Sequence, residues 1–139
     1  MSTTIRPEVS ERNLYWIEKH RYYELKHFCL QYPVWKKVHE SLDGMNSRDN
    51  DISHQNQKGS ISKPTERYGI AKAYYSDRMD MLERIATETD EIIGRYILKG
   101  VTEGYSYDCM KAKLDIPCCK STYYDLYRRF FWLLDKARQ

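Results

Sequence analysis

The stretch CMKAKLDIPCCKSTYYDLYRRFFWLLDK, residues 109–136, sets two adjacent cysteines beside a proline and then packs aromatic and basic residues into one run. Three chemistries are open to it: a metal or redox centre, a protein-docking surface, or a helix that reads DNA. Structural zinc needs paired ligands such as C-x2-C with a second pair at a suitable distance. Cys118 and Cys119 are adjacent, Cys109 precedes them by nine positions, and Cys29 and His27 lie far upstream. Neighbouring residues share one tetrahedral ion poorly, and no C-x2-C redox pair is present, so no metal or cofactor is expected. Enzymatic chemistry is not expected either. His20, His27, His39 and His54 stand apart from any Gly-rich loop, and the Walker, HExxH and GxSxG patterns are absent.

The DNA reading requires a helix, a short turn and a second helix that offers its first residues to the major groove. Cys109, Met110 and Leu114 supply apolar positions for the first helix, and Ile116 supplies one for the turn. In the second helix, successive residues lie about 100° apart. Tyr123, Leu126, Tyr127, Phe130, Leu133, Leu134 and Ala137 then fall within one arc of about 120°, the expected inward face. Ser121, Tyr124, Asp125, Arg128 and Trp132 fall opposite. Arg128 suits a guanine edge or a phosphate. Lys120, Ser121 and Thr122 sit at the helix N-terminus, whose N–H groups and dipole attract phosphate. Tyr124 can donate to phosphate or lie on a thymine methyl, and Lys111 and Lys113 on the preceding helix can hold the backbone. Asp125 opposes this reading unless it pairs with Arg128.

The elements that must position these residues follow from periodicity. The fold class is all-α: an N-terminal helical hairpin (1–44), a flexible polar linker (45–63), and a C-terminal unit (64–139) with a helix-turn-helix. Ser10 and Glu11 are N-terminal signals for a first helix. Leu14, Ile17, Tyr22, Leu25, Phe28, Cys29 and Tyr32 form its stripe, and Pro33 ends it. A second helix buries Trp35, Val38 and Leu42 and stops at Gly44. A long amphipathic helix starts near Pro64, with Tyr74, Met81, Leu82 and Ile85 on its inner face. Asp90 caps a shorter helix in which Ile92, Ile93, Tyr96 and Ile97 face inward and Gly100 ends the run. Ser106 caps the next.

The 139 residues carry a net charge of +3, too small to define a partner alone. Its distribution is more telling. Residues 65–105 hold six Lys/Arg and eight Asp/Glu, and residues 106–139 hold seven and four, so the basic end is the C-terminal one. Tyrosine is abundant, with 13 residues against 3 Phe, which favours half-buried seams and binding surfaces. Trp16, Tyr22, Tyr23, Phe131 and Trp132 are the candidates for contact with a protein partner. No apolar run reaches the ~20 residues of a membrane helix, so no membrane partner is expected. The start lacks a signal-peptide stretch, so the expected location is the cytoplasm in which the chain is made, with thiols rather than disulfides.

The stretch LDIPCCKSTYYDLYRRFFWLLDK resembles the C-terminal helix-turn-helix of RinA/ArpU-like phage late-gene transcription regulators, through Thr122, Tyr123, Tyr124, Tyr127 and Arg128. Residues 65–113 are similar in outline to the sigma region 4 arrangement of such proteins. The resemblance implies binding of double-stranded DNA near phage promoters and contact with host RNA polymerase. It departs at the turn, which is about two residues longer than the common spacing, and at Asp115, where the family usually carries Gly. A phage or prophage regulator is the leading expectation, and a homodimer would supply the paired half-sites that add specificity. The alternatives are a small terminase-like packaging protein, or a protein-interaction module that inhibits a host factor.

Overall fold

The computed structural model describes residues 13–53 and 63–139. Within them the chain forms six α-helices and no strand: α1 (Lys19–Leu30), α2 (Tyr32–Ser53), α3 (Lys63–Thr89), α4 (Gly94–Glu103), α5 (Tyr107–Leu114) and α6 (Lys120–Ala137). Two compact units emerge. One holds the described residues up to Gln31 together with Met81–Gln139, and the other is Tyr32–Asp80. This grouping differs from the boundaries 1–44, 45–63 and 64–139. α1 leaves the expected hairpin because its stripe of Tyr22, Leu25, Phe28 and Cys29 is buried and it packs on α4 and α6.

Several helix ends fall elsewhere than the sequence suggests. α1 begins at Lys19, because the Glu18 carboxylate accepts the backbone N–H of His20 (2.9 Å) and Arg21 (3.1 Å). Those two bonds hold its carboxyl below the usual range. Ser10 and Glu11 lie outside the described residues. α1 stops at Leu30, and Pro33 falls in the first turn of α2, where a missing N–H costs nothing. α2 does not end at Gly44 but runs to Ser53, so residues 45–53 of the expected linker are helical; 54–62 lie outside the described residues.

In the Tyr32–Asp80 unit, Trp35 is buried, and the Asp43 carboxylate pairs with Lys72, which lowers its pKa. Ile70 and Tyr74 are exposed, Tyr74 under the Arg78 guanidinium at 3.4 Å.

In the other unit, Asp90 Oδ1 accepts the N–H groups of Ile92 (2.9 Å) and Ile93 (2.7 Å), fixing the turn into α4. Ile93 and Ile97 are buried as expected, but Ile92 faces solvent, and so does Leu14. α4 passes through Gly100 and ends at Glu103, because the glycine that takes the left-handed conformation is Gly104 (φ 78°). Gly100 is helical, and its lack of a side chain serves close packing: a Cβ there would meet the Tyr123 hydroxyl at 2.4 Å. Ser106 caps α5 as expected, its Oγ accepting the Cys109 N–H at 3.2 Å.

Candidate nucleic-acid interface

α5, a short turn and α6 carry most of the residues singled out for DNA contact, and the turn between the helices is pinned from several sides. Ile116 is fully buried. The Tyr107 hydroxyl donates to the Cys118 carbonyl at 2.6 Å, and Lys111 Nζ donates to the Ile116 carbonyl at 3.3 Å. Asp115 closes α5 in the left-handed region with φ 50°, alone among the described non-glycine residues. Aspartate tolerates that conformation better than most L residues. Of the expected inward positions on α5, Met110 is buried, Cys109 half-buried and Leu114 exposed; Tyr107 fills the remaining place.

The buried face of α6 is Tyr123, Tyr124, Phe130, Phe131 and Leu134. Its width matches the expected arc, but it is turned by about 60° toward Tyr124 and Phe131. The cause is α1. Tyr22 packs edge-on against Phe131 (centroids 5.1 Å), and its hydroxyl lies 3.1 Å from that of Tyr127. Arg21 Nε donates to Asp135 Oδ1 at 2.6 Å beside them. A second wall therefore covers a flank that the sequence leaves open. Leu126 and Leu133 end half-buried and Ala137 exposed.

This rotation corrects three assignments. Tyr124 is buried and cannot lie along a groove; Tyr22 and Phe131 are core residues and cannot face a partner. Tyr23 is half-buried against Tyr22 (centroids 5.4 Å). Trp132 is half-buried between the Tyr15 ring (5.5 Å) and the Lys136 ammonium (3.4 Å). Trp16 remains exposed, next to exposed Leu14.

Lys120, Ser121 and Thr122 are exposed in the first turn of α6, whose N-cap residue is Cys119. Each nearby cation meets a carboxylate or ring of its own: Lys120 with Asp108 (3.6 Å), Lys111 with Asp115 (3.4 Å), Arg128 with Asp125 (3.1 Å), and Lys113 above the Tyr105 ring (5.6 Å). These pairs are solvent-accessible, so exchange of the aspartate for a phosphate costs little. Arg128 is the most enclosed, with its side chain 21% exposed.

One feature of this turn escaped sequence reasoning. Cys119, the exposed N-cap residue, lies with its sulfur 3.1 Å from Thr122 Oγ1 and 3.4 Å from Ser121 Oγ. Hydrogen bonds from the Ser121 and Thr122 hydroxyls bring its thiol down to about 7. Its neighbour Cys118 moves the other way through burial. The i, i+2 and i, i+3 spacing of Cys119 with two hydroxyl residues was the available signal. Among the described residues no cluster of His, Cys, Asp and Glu is arranged to hold a metal ion, and no helix is long and apolar enough to cross a membrane. The chain matches no family model, no curated protein and no solved structure.

Proposed function

We propose that the chain is a non-enzymatic regulator of phage or prophage origin that binds double-stranded DNA, with α5 and α6 acting as a helix-turn-helix. The observation that carries this reading is the first turn of α6. The N-terminal N–H groups of the helix, the Lys120 ammonium and the Ser121 and Thr122 hydroxyls stand together on a pinned turn whose first residues are exposed, and phosphate is the ligand such a helix start attracts. Lys113 and Lys111 flank it from α5, and Arg128 reaches from the second turn beyond. Asp115, where the resembled family usually carries glycine, takes the left-handed conformation at the end of α5. Asp108, Asp115 and Asp125 hold down the local charge, so affinity should be modest and a homodimer should supply paired half-sites. Contact with host RNA polymerase belongs to the same proposal.

Selection of bound duplexes from a random pool at two ionic strengths tests it. An enriched motif that persists at the higher salt is the result expected of a regulator. Salt-sensitive binding without a motif would favour a packaging protein, and no duplex binding at either salt would end the DNA reading. The exposed pair Leu14 and Trp16 favours a second reading, docking to a protein, for which Trp16→Ala would abolish capture of the partner without altering DNA affinity.

A further inference from the structure

A small cavity of about 180 Å³ opens between the end of α4 and α5, lined by Lys99, Tyr105, Cys109, Met110, Lys113 and Leu114. Met110 is fully buried and Leu114 is partly exposed, so the site has an apolar wall that continues to its mouth. Tyr105 presents a ring to two cations at once, Lys99 Nζ at 5.9 Å and Lys113 Nζ at 5.6 Å from its centroid. Both lysines line the same cavity, so its mouth carries two positive charges. Among the described residues, the carboxylate paired with either of them is Glu103, 3.9 Å from Lys99, beyond hydrogen-bond reach. An anion entering beside Tyr105 would approach both charges.

We propose that this cavity binds a small carboxylate with an aromatic or branched apolar body. The carboxylate would lie beside Tyr105 within reach of Lys99 and Lys113, and the apolar body would rest on the Tyr105 ring and Leu114. Charge sets the sign of the ligand and the apolar wall sets its body. Size sets its class, because the volume is below the roughly 300–1,000 Å³ of sites that hold drug-sized molecules. A nucleotide is too large and a bare inorganic anion leaves the wall unused. The proposal shares Lys113 with the DNA reading but needs no duplex, so its test is independent of DNA binding.

The test uses the full chain and 3-phenylpropionate as the probe, titrated by ligand-observed NMR and by amide shifts of residues 99–114. Its neutral counterpart 3-phenylpropanamide and the cation phenethylamine serve as controls. The acid should bind at least about tenfold more tightly than the amide, as a charge-assisted contact requires, and phenethylamine should not bind. Lys99→Met and Lys113→Met should each weaken the acid about fivefold or more while the melting temperature holds, because both side chains are at the surface. Equal binding of acid and amide, no binding of the acid at about 10 mM, or indifference to both lysine substitutions would overturn the proposal.

Discussion

Along α6 the last turns bury Phe130, Phe131 and Leu134 completely, whereas the first turn leaves Lys120, Ser121 and Thr122 in solvent. The buried end is held by neutral contacts and by Arg21–Asp135, a short ion pair whose two side chains are about three-quarters covered. The exposed end is held by its backbone turn, and its charges are paired loosely with exposed aspartates. One helix thus serves as scaffold at its C-terminal half and as a presenting surface at its start. A site built this way can change its outer residues at little cost to folding.

The sharpest way to break this contrast is to remove an anchor from the buried half. Phe131→Ala should cost about 3–5 kcal/mol in urea unfolding, whereas Ser121→Ala should stay within about 0.5 kcal/mol. Equal costs at the two ends would contradict the division of labour. Next in size is the turn. Asp115→Val places a branched side chain at φ 50° and should lower stability by about 1–2 kcal/mol, while Asp115→Gly should be neutral or slightly stabilising. A double-mutant cycle between Arg21 and Asp135 should give a coupling of about 1 kcal/mol, at the upper end of the surface range because the pair is short and partly covered.

The helices of this fold were legible in the sequence where a local signal governed them. Ser106 caps α5 and Ile116 is the buried residue of the turn, as expected, whereas Asp90 holds the turn before α4 and the N-cap of α4 is Ile93. Positions that depend on a distant partner were not legible. The face of α6 could be placed only to within about 60°, because Tyr22 on α1 builds a wall that no periodicity within α6 records. That wall covers Phe131. The start of α1 was missed for another reason: glutamate is an uncommon N-cap, and the apolar stripe through Leu14 and Ile17 reads as helix although residues 13–18 are not helical. Gly100 and Gly104 are four residues apart, and composition does not say which one takes the left-handed turn. The exposed end of α6, by contrast, was placed by local order alone, since Lys120, Ser121 and Thr122 open the helix whichever way it is rotated.

The smallest effect on stability should come at Cys119, and it reports on the presenting surface itself. Its alkylation by iodoacetamide should rise with pH through an inflection near 7, as the thiolate forms. Joint Ser121→Ala and Thr122→Val substitution should carry that inflection up toward the ordinary value near 9. An inflection already near 9 in the unaltered protein would mean that the Cys119–Ser121–Thr122 contacts are not kept in solution.

The most direct test of the claim that α6 presents its first turn to a duplex is the salt dependence of binding. Fluorescence anisotropy with a labelled duplex, across ionic strengths, should give a log–log slope that becomes shallower by about 1 in Lys120→Gln if that ammonium meets one phosphate. Asp108→Asn, which frees Lys120 from its carboxylate partner, should tighten binding. A slope unchanged by Lys120→Gln, with affinity also unmoved by Asp108→Asn, would contradict the account.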